Sequence, residues 1–347
     1  MRAVAALAVA TNWAYRAPWW LPGGHVQTIW AAVRARRHFG PPPVWQRQRW
    51  TTPDGDFIDL DFAQHASASD APLLVLFHGL EGSSSSAYAQ AFADVAASCG
   101  LAFVVPHFRG CSGELNRAPR AYHSGDFEEL DWILRRLAAE HPRRPLLAAG
   151  VSLGGNALLK WAGEMGQQAA AVVRAVAAIC SPLDLSAGGH AIGRGLNRQI
   201  YTRMFLHSMR PKALQKLQQH PGLFDREALL AARDLYAFDN VFTAPLHGFA
   251  GTDDYWRRAS AKPVLPDIRV PTVVLNARND PFVPADSLPR VGAVGPCVTL
   301  WQPVHGGHVG FPASLRPWGL PGHVRAMPEV VTGWLMGHIT PERRFAV

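Results

Sequence analysis

The sequence predicts an α/β fold: a doubly wound, mostly parallel sheet with helices on both faces and a helical cap inserted near the middle of the chain. Three observations carry this. Short apolar runs alternate with helical stretches through the first half, as strand-helix-strand units do. The strand signal then disappears between Asp184 and Pro263, where the pattern is helical, and further apolar runs follow. Finally, 347 residues at 48% hydrophobic content suffice for one large domain carrying such an insertion.

The expected divisions are an N-terminal extension and arm over 1–45, the first part of the core over 46–184, the cap over 185–263 and the second part of the core over 264–347. "MRAVAALAVA" has an apolar segment too short for a secretory leader and reads as an N-terminal helix or a loose end. "WTTPDGDFIDLDF" alternates around Asp54-Gly55 as a hairpin does. "APLLVLFHGL" and "GLAFVVPHFRG" read as buried parallel strands, joined by the helix "SSSSAYAQAFADVAASCG" with a serine N-cap and Gly100 as its stop. "DFEELDWILRRLAAEHP" is an amphipathic helix with His123 and Asp126 ahead of it as capping residues. The strand "RPLLAAGVS" leads into the helix "NALLKWAGEMG", and "VRAVAAICSP", "VPTVVLNARND" and "CVTLWQPV" supply the last strands.

Composition narrows the function. The net charge of +8 comes from dispersed arginines, and "AAVRARRHFG" with "WQRQRW" reads as a solvated basic face. No nucleic-acid-binding motif accompanies it, so the expected partners are a small-molecule substrate and, by charge, anionic lipid surfaces or acidic substrates. No apolar run is long enough to span a bilayer. Cys99, Cys111, Cys180 and Cys297 lie far apart, unlike a disulfide framework or a metal spacing, which points to a reducing, cytoplasmic setting.

The chemistry centres on "GVSLGGNALLKW". Gly150 to Gly154 fits G-x-S-x-G, in which a strained serine is lifted from a strand-to-helix turn; a tight turn without chemistry is the other reading of the motif alone. A serine hydroxyl needs a base, and the base an orienting carboxylate. Asp280 closes "TVVLNARND" and His308 sits in "HGGHVGF", both just beyond strands and in the order Ser, Asp, His. His305 is the rival base; the flanking glycines favour His308. The oxyanion donors are expected to be the backbone N–H groups of Leu153 and, in "FHGLEG", Leu80. His305 and His308 lack a third ligand, so no metal or cofactor is expected. The spacing H-x4-D, at His65 to Asp70 and His220 to Asp225, falls in polar stretches and reads as accident.

Together "APWWLPGGHVQTIW", "FHGLEGSS", "HFRGCSGELNR", "YHSGD", "GVSLGGNALLKW", "NARNDPFVP" and "GGHVGF" resemble the YheT-like group of α/β-hydrolases, from about Ala17 to Trp334. "FDNVFTAPLHGFAGTDDYW" is similar to that group's cap segment. The resemblance implies the α/β-hydrolase fold and an esterase with Ser152 as nucleophile, Asp280 as acid and His308 as base. It also implies relatives acting on medium-chain acyl esters or phospholipids, some transferring acyl groups to alcohols. The expected activity is cofactor-free hydrolysis of acyl esters, with Phe205, Phe224, Tyr236 and Phe249 of the cap as candidates for an acyl tunnel. An acyltransferase with the same triad and a silent lipid- or partner-binding protein are the alternatives.

Overall fold

A computed structural model describes residues 12–316 and 319–339; the expectation for the first ten residues lies outside them. An eight-stranded sheet runs β1 (Trp45–Thr51), β2 (Phe57–Ala63), β4 (Ala102–Pro106), β3 (Leu73–Phe77), β5 (Leu146–Val151), β6 (Ala175–Ile179), β7 (Thr272–Leu275) and β8 (Val298–Trp301). β2 is antiparallel to β1 and β4, and the rest are parallel. The anticipated hairpin is β1–β2.

The central parallel strands are almost wholly apolar because both faces are covered, whereas the edge strand β8 is half-buried and carries Thr299. On β3, Leu73, Val75 and Phe77 enter one core layer and Leu74 and Leu76 the other. The first layer is closed by α3 (Phe127–Glu140), through Leu130, Ile133 and Leu134, and by α4 (Leu153–Met165), through Leu158 and Trp161. The second is closed by α2 (Ala87–Cys99), through Phe92 and Ala96, and by a C-terminal helix, Ala326–Gly337, through Val331 and Leu335.

Between β6 and β7 every regular element is helical, including α5 (Leu185–Ile192), α6 (Arg203–Gln219), α7 (Arg226–Ala231), α8 (Leu235–Val241) and α9 (Thr252–Ala259). Their own apolar cluster is built around Leu206, Leu229, Phe238 and Phe242. Three elements had no assignment in the sequence. Gly23–Val33, within the N-terminal extension and arm, is a helix, α1, and a separate antiparallel pair, β9 (Ala313–Arg316) and β10 (Gly319–His323), follows what reads as the last strand.

Three local expectations are corrected. Ser86 precedes α2 without a side-chain cap; its Oγ accepts the Ser83 N–H instead. Gly100, at φ 71°, does stop that helix. Asp126 does not cap α3 with its side chain, because its carboxylate is held by Arg120 at 2.5 Å, and His123 accepts the Gly125 N–H. Arg47 and Arg49 are more than a solvated face. In the β1–β2 register they stand opposite Asp61 and Asp59, and each forms a forked pair to a buried carboxylate at 2.7–2.9 Å.

Candidate active site

Ser152 lies between β5 and α4 with φ 54° and ψ −118°, a conformation a side-chain-bearing residue adopts only under constraint. The constraint is crowding. A Cβ on Gly150 would meet the Gly154 carbonyl oxygen at 2.5 Å, one on Gly154 the His78 oxygen at 2.4 Å, and one on Gly155 the Ser181 Oγ at 2.0 Å. Glycine there lets α4 start hard against β3 and β5, with its N-terminal dipole aimed at Ser152.

The carboxyl ends of β7 and β8 bring the partners. Ser152 Oγ is 3.0 Å from His308 Nε2, and His308 Nδ1 is 2.8 Å from Asp280 Oδ2. An ionised carboxylate only accepts, so Nδ1 carries the proton and Nε2 is free to accept from the serine. The other carboxylate oxygen, Asp280 Oδ1, accepts the N–H groups of Phe282 at 2.7 Å and Val283 at 3.3 Å, which fixes its orientation. The Phe282 ring lies 4.1 Å from the His308 ring. His305 is exposed and stands outside this chain of bonds.

Further residues that sequence reasoning did not single out hold these loops. Thr28 Oγ1, on α1, accepts the His308 N–H at 2.8 Å and donates to the Gly24 oxygen at 2.7 Å. Gln27 Oε1 accepts from Gly306 N at 2.9 Å and from Asn279 Nδ2 at 3.0 Å, and Asn279 Oδ1 accepts the Gly307 N–H at 3.0 Å. One turn of α1 therefore ties the loop of Asp280 to the loop of His308. Cys180 adds a clamp: its buried Sγ accepts the Val309 N–H at 3.2 Å. Cys180, Asp280 and His308 also present donor atoms within 4.8 Å of one another. Burial pushes the Cys180 thiol well above its ordinary range, keeping it protonated, and the other two atoms are committed to each other.

The other loop facing Ser152 is held from both sides. His78 Nε2 accepts the Phe108 N–H at 3.0 Å, so its protonated Nδ1 donates to the Gly79 oxygen at 2.8 Å. Full burial pushes this imidazole down to about 3, so it is a neutral strut at working pH. Gly79 N–H donates to Tyr88 Oη and Glu81 N–H to Tyr122 Oη, while Leu80 itself lines the cavity beside Ser152, Leu153 and His308. Glu81, at φ 57°, carries an ion pair to Lys212 of α6 at 2.9 Å and accepts from Tyr122 at 3.0 Å.

Together the core and the helical insertion enclose a cavity of about 160 Å³. Leu185, Ile192, Phe205, Met209, Leu235 and Phe238 give it an apolar wall. Its charged groups are engaged elsewhere: Arg109 with Asp54, Asp56 and Glu129, Lys212 with Glu81, and Lys216 with the carbonyls of Asn116 and Ala118. Asp239, pushed up to about 6 by burial, accepts from Thr243 and Trp256. Of the four aromatic candidates only Phe205 lines the cavity. Phe224 packs on Phe242, Tyr236 turns outward to Asp253, and Phe249 packs on Tyr255 and His123. The cavity's aromatic surface comes instead from Phe238, Phe242, Tyr255, Trp256 and Phe282. Of the two H-x4-D pairs, His65 and His220 bond backbone carbonyls and Asp225 caps α7.

A sheet wound this way, with a serine raised at one strand end and an acid and a histidine at two later ones, defines an α/β-hydrolase. Residues 72–313 match the α/β hydrolase fold family, and the chain belongs to it; it is an enzyme of the hydrolase class. Among its relatives is "Putative esterase YheT" of Escherichia coli (strain K12), 39% identical over 290 residues, which cover 83% of this chain and 84% of that protein. Phospholipase ABHD3 of Mus musculus is 28% identical over 288 residues, covering 80% and 69%. The solved Pyrococcus furiosus esterase Pf2001 shares the fold, with a TM-score of 0.52 at 14% identity over 88% of this chain and 98% of that one.

Proposed function

We propose that the protein is a serine carboxylic-ester hydrolase that works through an acyl-enzyme on short- to medium-chain acyl esters, with the helices between β6 and β7 as its cap. The observation that carries the reading is the bonded chain from Ser152 through His308 to Asp280, opening on an apolar cavity. In this reading His308 takes the Ser152 proton as Oγ attacks the ester carbonyl, and Asp280 stabilises the imidazolium that forms. The amides of Leu80 and Leu153 receive the oxyanion, the second of them at the positive end of α4. His308 then protonates the departing alkoxide, and a water, deprotonated by the same imidazole, releases the acid.

The names of the relatives, an esterase and a phospholipase, support acyl esters as the substrate class. So does the cavity, whose wall is mostly hydrocarbon and whose charged groups are held by their own neighbours, Lys212 by Glu81 and Lys216 by backbone carbonyls. A neutral acyl chain suits it; a charged one would leave its own charge unpaired.

The test is a series of p-nitrophenyl esters of rising acyl length with the wild type and Ser152→Ala, together with fluorophosphonate labelling. The variant should lose turnover by roughly 10⁴-fold or more and should not label. Undiminished turnover or labelling in Ser152→Ala would overturn the reading.

A further inference from the structure

From Leu185 to Phe224 the chain holds no aspartate or glutamate, yet it carries Arg194, Arg198, Arg203, Arg210, Lys212 and Lys216. The structure sorts these cations. Lys212 and Lys216 turn inward and are partnered at the cavity. Arg198, Arg203 and Arg210 turn the other way and, with His207 and Arg233, line a second concavity of about 440 Å³ into which no acidic residue projects. Arg198, Arg203 and Arg233 are exposed, and Arg210 spends one Nη on the Ala232 carbonyl. Among the described residues none of these four guanidiniums is in an ion pair, whereas Arg47, Arg49, Arg109, Arg120 and Arg325 all are.

The same segment exposes large apolar side chains. Leu196 is 57% and Met204 55% exposed, Met204 directly beside Arg203. Unpaired guanidiniums interleaved with exposed aliphatic side chains match the boundary of an anionic bilayer, where phosphates take the cations and acyl chains the hydrocarbon. A nucleic acid would call for aromatic platforms, and Leu196 and Met204 offer none.

We infer that the outer face of the helical insertion, centred on Arg198, Arg203, Arg210 and Arg233, docks on anionic lipid surfaces. This deepens the ester-hydrolase reading and rests on it for its purpose. The inward face of α6, through Phe205 and Met209, lines the cavity, so docking sets the cavity's cover against the phase in which acyl esters dissolve.

The docking is measured without turnover, which separates its failure from that of the catalytic reading. The full chain carrying Ser152→Ala is sedimented with phosphatidylcholine vesicles and with vesicles containing about a third phosphatidylglycerol. It should bind only the second, and progressively less as salt rises from ~0.1 to ~0.5 M. Arg198→Glu with Arg203→Glu should weaken binding at least about 25-fold, about fivefold for each cation lost. Leu196→Ser with Met204→Ser should weaken it too, at unchanged salt dependence. Arg143→Glu with Arg144→Glu, a charge-matched pair elsewhere on the surface, should bind like the parent. Absence of binding, equal binding to both vesicles, equal loss in the control pair, or retention of single-stranded DNA but not of anionic vesicles would each overturn the inference.

Discussion

At Thr28 a single hydroxyl both donates to its own helix and accepts the amide of His308. Thr28→Val keeps the shape and removes the acceptor, leaving a largely buried N–H unsatisfied at a cost of about 1–3 kcal/mol, met most cheaply by letting the loop shift. We expect kcat on p-nitrophenyl butyrate to fall about tenfold or more with KM little changed, and Thr28→Ser to recover most of it. Steady-state kinetics of the two variants check this; a Thr28→Val enzyme as fast as the wild type would refute the clamp. Ser152, His308 and Asp280 could be singled out as candidates from the sequence because the proposed chemistry demands those residue types at strand ends. Thr28 and Gln27 were not, since a threonine and a glutamine on a helix are ordinary residues until the fold shows what they face. The bond from Gln27 to Gly306 spans 279 positions, and no local pattern signals it.

Among the elements, β3 to β8 could be read directly because strands in or beside a sheet covered on both faces are largely apolar. α1 could not: "GGHVQTIWAAV" has no side-chain cap and buries only Gln27, Thr28 and Ala31. The β9–β10 pair was missed because its glycines and prolines argue against a strand. The helical character of the insertion was legible, but which aromatic rings face inward was not, since that depends on how short helices roll against one another. The one charged contact between α6 and the loop of Leu80 gives a prediction at this scale. Glu81→Gln and Lys212→Met should each lower kcat severalfold, and a double-mutant cycle on kcat/KM should return a coupling of about 1 kcal/mol, a modest figure because the ammonium is partly solvated. Additive effects would mean that the insertion does not steady that loop.

For the molecule as a whole, buried ionisable groups pull stability in opposite directions with pH. His78 and His123 are pushed down to about 3 and about 4 by burial, so the unfolded chain takes up their protons first; their stability is full above about pH 6.5 and is lost as pH falls toward 4 and below. Asp239 is pushed up to about 6, and Glu129 is also raised, both by burial, so the folded chain keeps their protons longer; the Asp239 contribution shrinks as pH rises through about 4 to 6. Asp239 thus opposes the histidines between about pH 4 and 6. Asp239→Asn removes one falling contribution while offering Thr243 and Trp256 a similar partner, so its Tm should climb with pH relative to the wild type across that window. Thermal melts of both proteins decide it: parallel curves would refute the assignment to Asp239.

The strap that α1 places across the acid and base loops also bears on how the enzyme comes into being. Gln27 and Thr28 are made well before Gly306 and His308, and the bonds between them form only after the polypeptide has folded back on itself. On the proposed mechanism, a nascent chain still on the ribosome thus holds Ser152 long before His308 can activate it. In that reading hydrolytic power arrives late, as a property of the folded molecule rather than of any one segment.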